Sequence, residues 1–333
     1  MAKKRNSLRD ARTAKNDEFY TLLADIEKEL SNYEEQFRGK AILCNCDDPR
    51  RSNFWRYFHE NFERLGLRKL TATFFSEEAF AMTYEGGADS DIGVGEQEPL
   101  LWLGDFRNSE CIGYLEEADI VVTNPPFSLM IEYIGQLMEH QKKFLLIAGI
   151  NVLCCDSVFP CLREGRISKG YNTVKDFIQP DGQVKSFGNI CWLTNLDITH
   201  ERPRLLDKLK EQGYCYYAGN EKNYPIFYNC NGINVDRLNE LPVDYEGMMG
   251  LPITFLDYYN PDEFELIGVD GKVCNDDIEL REIGKEWCTA YYEQGNTGHY
   301  SPSMRIPVTF TDGIARAVFR RVFVRNRHPV SKP

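Results

Sequence analysis

The chain has 333 residues, 42% of them hydrophobic, which is enough to bury a large core and to build about two domains. No apolar run reaches the ~18 residues that a membrane span needs, and no basic-then-apolar leader occurs, so membrane insertion and secretion are excluded in favour of a cytoplasmic protein. The net charge of −12 argues against a uniformly basic nucleic-acid surface.

That charge is unevenly spread. Residues 1–15 carry +5 (Lys3, Lys4, Arg5, Arg9, Arg12 and Lys15 against Asp10), residues 313–333 carry +6 without an acid, and the remainder carries −23. Acidic bulk with two basic ends suits a protein that meets phosphate along a limited strip. Eleven cysteines, scattered and odd in number, fit reduced thiols better than a disulfide framework.

In chain order, Asn16 or Asp17 can cap a helix whose apolar residues Leu22, Leu23, Ile26 and Leu30 recur at helical spacing. Residues 41–46 read as a strand and lead into an acidic turn. Ser52 or Asn53 then starts an aromatic-rich helix through Phe54, Trp55, Phe58 and Phe62 that stops at Gly66. Residues 69–75 make the next strand. The Gly- and acid-rich stretch 85–98 reads as a loop, and its Gly93-Val94-Gly95 lacks the third glycine of a dinucleotide fingerprint. Residues 100–103, 120–123 and 144–148 are further strands, with a helix over 129–139 between the last two. Strands alternating with helices predict an α/β fold built on a doubly wound parallel sheet.

From about residue 200 the pattern changes. Eleven of eighteen tyrosines lie beyond it, and long irregular stretches separate the apolar runs. Asn260, Pro261, Asp262 and Glu263 spell a helix start, with a cap, an early proline and acids near the positive end. Residues 318–327 read as a basic strand. Arg320, Arg321 and Arg325 are its candidate DNA contacts, with Arg321 and Arg325 on one face and Arg320 on the other.

The most informative segment is Asp119-Ile-Val-Val-Thr-Asn-Pro-Pro-Phe-Ser128, an apolar β-branched run followed by an Asn124-Pro125-Pro126-Phe127 turn. An Asn/Asp/Ser-Pro-Pro-aromatic string arises by chance in about one chain of this length in a hundred. Its residue types suit methyl transfer to a planar NH₂. The lone pair of such a nitrogen is delocalised into its ring, and two acceptors aimed at its two N–H bonds pull it toward tetrahedral geometry. The Asn124 side-chain oxygen and the Pro125 carbonyl are those acceptors, held in place because Pro125 fixes φ and Pro126 keeps residue 125 extended. Phe127 supplies a face for stacking, and a neutral Asn adds no charge beside a sulfonium donor.

In a doubly wound sheet, ligands sit at the carboxyl ends of strands near the point where strand order reverses. Three polar turns follow strands here: Asn45-Cys46-Asp47-Asp48, Gly104-Asp105-Phe106, and the Asn124 turn. An S-adenosylmethionine donor needs partners for its ribose hydroxyls, adenine amino group and ammonium. Asp105 and Phe106 suit the adenine edge and face, and Asp47 or Asp48 suits the ribose or methionine part.

Six segments together resemble the EcoRI-type adenine-specific DNA methyltransferases. They are Lys15-Asn-Asp-Glu-Phe-Tyr-Thr21, Cys44-Asn-Cys-Asp-Asp-Pro49 with Ser52-Asn-Phe54, Gly104-Asp-Phe-Arg107, the Asp119–Ser128 segment, Cys191-Trp-Leu-Thr-Asn195, and Met249-Gly-Leu-Pro-Ile-Thr-Phe-Leu256. They follow the family order and cover most of the chain. The resemblance implies a class I S-adenosylmethionine-dependent methyltransferase fold, with a catalytic domain over 1–200 and a target-recognition region over 201–333. It implies transfer to the N6 amino group of a flipped adenine in duplex DNA, and it leaves room for a cognate restriction endonuclease acting on the same site. It also implies that Phe19, Tyr20 and Thr21 pack against the donor ahead of Asn45, Cys46, Asp47 and Asp48, with Asn124 facing donor and base alike. Trp102-Leu103-Gly104 departs from the family's more common Gly-Asp pair, which points to a more apolar adenine pocket. Two other readings share the Asn-Pro-Pro-aromatic turn or the fold. An RNA-base or protein-glutamine methyltransferase usually carries a glycine-rich donor loop that is absent here, and a catalytically silent DNA-binding protein would not need an intact turn.

Overall fold

A computed structural model describes residues 20–46, 48–87, 95–178, 182–199, 201–218, 223–270 and 276–331. The chain divides into two units, Met1–Val152 with Ile167–Thr199, and Leu153–Arg166 with His200–Pro333. The second unit takes residues 153–166, which a boundary at 200 gives to the first.

The first unit is a mixed α/β structure on a nine-stranded sheet. Its strands are β1 (Tyr20–Thr21), β2 (Ala41–Asn45), β3 (Lys69–Thr73), β4 (Phe80–Tyr84), β5 (Glu96–Pro99), β6 (Ile120–Thr123), β7 (Lys143–Gly149), β8 (Ser168–Ile178) and β9 (Val184–Thr194), in the order β1-β8-β9-β7-β6-β2-β3-β4-β5. Parallel pairing runs through β7-β6-β2-β3 alone. The flanks are antiparallel, so the expected all-parallel sheet is corrected to a parallel centre with antiparallel edges. The β3–β4 link holds no crossover helix, nor do the described residues of the β4–β5 and β8–β9 links, and strands joined that way return antiparallel.

Every residue of β2 and β6 is buried, as expected of parallel strands covered on both faces. Ile42, Cys44, Ile120 and Val122 pack with Ile26 and Leu30 of helix Leu23–Leu30 and with Phe54, Trp55 and Phe58 of helix Asn53–Glu60. The Ser52 hydroxyl caps the latter by accepting from the backbone N–H groups of Phe54 and Trp55, and Gly66 ends the aromatic run in a left-handed cap at φ 62°. Leu43 and Val121, one residue out of phase, turn to the opposite face.

Three expectations in this unit change. The first described helix begins at Leu23, because Tyr20 and Thr21 pair with Ile178 and Phe177 as β1; Asn16 and Asp17 lie outside the described residues. Residues 100–103 form a turn, not a strand, in which Leu101 and Trp102 are 81% and 62% exposed. Their N–H groups donate to the Glu110 carboxylate rather than to a neighbouring strand. Within 85–98, read as loop, residues 96–98 belong to the fully exposed edge strand β5. Among the described residues no helix is long and apolar enough to cross a membrane.

The second unit holds a four-stranded sheet of β10 (Ile233–Asn234), β11 (Met249–Pro252), β15 (Arg321–Asn326) and β12 (Phe264–Val269), in that order, and a hairpin of β13 (Val308–Thr311) and β14 (Ile314–Ala317). Asn260 does not start a helix. Its side-chain oxygen accepts the Asp262 N–H in a turn that enters β12 directly. Glu263 instead caps another helix, Leu205–Glu211, by accepting from Leu205 N–H at 2.6 Å and Leu206 N–H at 2.9 Å. Several late tyrosines serve a small aromatic core, where Tyr291 stacks on buried Trp287 and Tyr300 meets it edge-on.

Candidate active site

Strand order reverses at β2. The chain steps from β2 to β3 on one side and later returns to β6 on the other, so the carboxyl ends of β2 and β6 flank the expected ligand crevice. Asn45 ends β2, and Asn124 follows directly after β6.

These two turns are tied together. The Thr123 hydroxyl donates to the Asn45 carbonyl, and the Tyr133 hydroxyl donates to the Asn45 side-chain oxygen. Tyr133 lies on helix Met130–Glu139, which follows the Asn124 turn through a short 3-10 segment, Phe127–Leu129. It is fully buried, and burial pushes its hydroxyl well above the ordinary phenol value. Phe106 packs edge-on against the Tyr133 ring at 4.9 Å, and its carbonyl accepts from Gln136 of the same helix. From the helix that follows the Asn124 turn, the Tyr133 side chain thus joins the Asn45 and Phe106 turns. Sequence reading missed it because an aromatic at helical spacing is ordinary core.

Asn124 and Pro125 are buried, while Pro126 and Phe127 are half-buried, with Phe127 against the main apolar core. The Pro125 carbonyl accepts no hydrogen bond among the described residues, which leaves it available as an acceptor. Cys46 takes a left-handed backbone at φ 76°, and its N–H donates to the Thr73 carbonyl at 2.8 Å. A non-glycine residue held there is locally strained, a feature common at functional sites.

The Asp105–Phe106 turn is seated at the end of β3. Gly104 lies so close to the Phe74 carbonyl that a Cβ would stand 2.0 Å from it, at a φ of 68° that only glycine adopts easily. Both expected aspartates already hold a cation two residues on. Asp48 accepts from the Arg50 guanidinium at 2.8–3.2 Å, and Asp105 from that of Arg107 at 2.6 and 2.8 Å. Burial raises the Asp105 carboxyl, but the Arg107 contacts outweigh it and hold the group below its ordinary value. The Asp105 carboxylate is therefore an ionised, oriented acceptor, the Asp48 carboxylate is oriented by Arg50, and each keeps lone pairs to spare.

Tyr20 and Thr21 of β1 reach the same end of the sheet, since the Asn53 side chain donates to the Thr21 carbonyl at 2.8 Å. The Thr21 hydroxyl is buried and has no hydrogen-bond partner among the described residues. An orphaned buried hydroxyl costs ~1–3 kcal/mol, so the residues present suit a polar ligand such as the donor. Phe19, Asp47 and the basic residues 1–15 lie outside the described residues. A cavity of about 1060 Å³ opens at the β4–β5 edge beside Lys69, Glu85, Glu98 and Glu117, and none of the expected site residues lines it. The candidate site is therefore read from chemistry and strand topology, not from cavity size.

Two motifs are structural. The Asn195 side chain accepts from Phe144 N–H and donates to the Lys142 carbonyl, clamping the start of β7. Gly250 in β11 packs under the Phe227 ring, where a Cβ would stand 2.5 Å away.

In the second unit the three arginines separate. Arg321 is 7% exposed, and its guanidinium donates to Asn234, to Asp236 and to the Phe319 carbonyl. The Arg321 side chain, a candidate phosphate contact, thus turns into the sheet and is engaged there. Arg325 is half exposed and bonds Glu265 at 2.8 Å, and Arg320 is 44% exposed, 4.0 Å from Asp270. Lys332 lies outside the described residues.

The model of the family described as adenine-specific methyltransferase EcoRI matches residues 7–308. The chain is 42% identical over 306 residues to the Type II methyltransferase M.EcoRI of Escherichia coli, covering 80% of this chain and 90% of that protein. It is 36% identical over 278 residues to two mycoplasma proteins, M.MgeORF184P of Mycoplasma genitalium and M.MpnI of Mycoplasma pneumoniae, covering 77% of this chain and 84% and 83% of theirs. No solved structure matches the chain significantly.

Proposed function

We propose, from the premise that this chain belongs to the EcoRI family of adenine-specific methyltransferases, that the Asn124 turn is its catalytic centre. The chain is a site-specific DNA adenine methyltransferase that uses S-adenosylmethionine. The strand-order reversal at β2 supports reading the first unit as a class I, Rossmann-like methyltransferase fold. The second unit is the region that recognises the DNA target. The Type II names of the relatives favour a cognate restriction endonuclease as functional partner.

The observation that carries the assignment is the joining of the Asn45 and Asn124 turns through Thr123 and Tyr133. S-adenosylmethionine supplies an electrophilic methyl group. Tyr20, Thr21, Asn45, Cys46, Asp48, Asp105 and Phe106 would hold it; Phe19 and Asp47, expected in the same set, lie outside the described residues. The target adenine leaves the stack, as a base buried in a duplex must, and Phe127 gives it a face. The Asn124 oxygen and the Pro125 carbonyl accept its two N–H bonds and draw the nitrogen lone pair out of the ring plane. They continue to stabilise the positive charge that develops on that nitrogen during displacement. No covalent intermediate on the protein is needed.

The test is to incubate the protein with methyl-labelled donor and duplex DNA, digest to nucleosides and separate them. Label in N6-methyladenine is expected. Label in cytosine, in RNA or on a protein glutamine would overturn the assignment.

A further inference from the structure

The segment between β14 and β15 exposes an aromatic side chain beside exposed arginines. Phe319 is 80% exposed. Its main chain is nonetheless fixed by a residue two positions on. The buried Arg321 guanidinium donates to the Phe319 carbonyl at 3.1 Å while Asn234 and Asp236 hold its other nitrogens, and the Arg321 N–H donates to half-buried Asp270 at 2.9 Å. Arg321 therefore works as a pin for residues 319–321.

The exposed residues near Phe319 in sequence carry cations. Arg316, on the exposed part of β14, makes no ion pair among the described residues, and Arg320 beside the ring is 44% exposed. Residues 313–333 contain no acid. They also lie beyond residues 7–308, where the family model matches. An exposed aromatic ring with exposed arginines three residues before it and one residue after it is the chemistry that meets nucleic acid, with cations on phosphates and an apolar face on bases.

Resting on the methyltransferase reading above, we propose that Phe319 is an apolar wedge that enters a base step of the bound duplex, flanked by phosphate contacts from Arg316 and Arg320. Proteins that deform DNA insert such side chains, unstacking one step. Pinning by Arg321 fixes the main chain that carries the ring, so less ordering is lost on binding.

The experiment compares wild-type protein with Phe319→Ala and Phe319→Trp on one cognate duplex carrying 2-aminopurine at successive positions outside the target adenine. With the wild type, one of these positions brightens as its stack opens. Phe319→Ala is expected to abolish that brightening and to weaken DNA binding about 10-fold, leaving the slope of log affinity against log salt unchanged. Phe319→Trp is expected to keep both properties. Donor binding measured on each variant shows that the first unit is intact. Equal affinity and equal fluorescence in wild type and Phe319→Ala would overturn the proposal, as would a flattened salt slope. Methylation of adenine by the wild type is scored on the same duplex, so failure of the enzymatic reading is seen separately from failure of the wedge.

Discussion

Asn124 is the residue on which the chemistry turns. Replacing it with alanine removes one of two preorganised acceptors, and turnover is expected to fall about 10²-fold or more while the donor dissociation constant stays nearly constant. Single-turnover methylation beside donor calorimetry reads the two quantities. Near-normal turnover would remove Asn124 from the catalytic role. Tyr133 acts one step back. Tyr133→Phe keeps the ring against Phe106 but deletes the bond to Asn45, which costs about 0.5–1.5 kcal/mol of stability. It frees the donor turn from the catalytic turn, so kcat is expected to fall more than KM for donor or DNA changes. A stability loss with unchanged kcat would make Tyr133 a core residue only. The difference in legibility between these two residues is physical. Asn124 announces itself because Asn-Pro-Pro-aromatic is rare and each residue has a chemical duty. Tyr133 looks like any apolar position in an amphipathic helix until its hydroxyl is seen to face Asn45. Asp48 and Asp105 were readable as acidic turns, but not the claims of Arg50 and Arg107 on them, which depend on how each turn folds back on itself.

Among elements, the parallel centre of the first sheet was readable because strands buried on both faces are continuous apolar runs, as in Ile120–Thr123. The edges were not. β5 is Glu-Gln-Glu-Pro and fully exposed, with no apolar signal to betray a strand. Residues 100–103, more apolar than β5, are a turn fastened by Glu110. The helix start expected at Asn260 failed for a related reason, since its Glu263 is engaged by a helix 58 residues away in sequence. The end of β12 carries a pH effect. Burial raises the Asp270 carboxyl from 3.8 to about 6, against the opposing pull of the Arg321 N–H, Arg320 and Arg321. A carboxyl whose folded value lies above its unfolded one binds its proton more tightly when folded. Its contribution is fully present below pH 3.8 and is lost as pH rises through about 6. Asp270→Asn keeps an acceptor for the Arg321 N–H and removes the ionisation. The variant is expected to match the wild type near pH 4 and to exceed it above pH 6, by up to about 3 kcal/mol. Denaturant midpoints across pH 4–8 check this, and a constant difference across that range would show that Asp270 does not titrate in the window.

At the scale of the whole molecule, a net charge of −12 confines attraction for DNA to limited strips, and the acid-free run 313–333 is one of them. The run was legible from composition, whereas the use of each cation in it was not. Alternation in β15 paired Arg321 with Arg325, yet Arg321 sits inside the sheet on Asn234 and Asp236, and Arg325 lies on Glu265. Only structure tells a cation offered to phosphate from one already spent on a carboxylate. Each true phosphate contact releases counterions and steepens the fall of log affinity with log salt by roughly 0.9. Neutralising Arg316 or Arg320 to glutamine is therefore expected to flatten the slope by about that amount and to weaken binding to all sequences alike. Arg325→Gln should flatten it less, because Glu265 competes for that guanidinium. Arg321→Met should leave the slope unchanged and lower the melting temperature instead, since it strips a buried side chain of its hydrogen bonds. DNA titrations at several salt concentrations, beside thermal melts of each variant, separate the four. A flattened slope in Arg321→Met with no loss of stability would mean that this side chain leaves the sheet to meet DNA, and the division between pin and phosphate contact would fall with it.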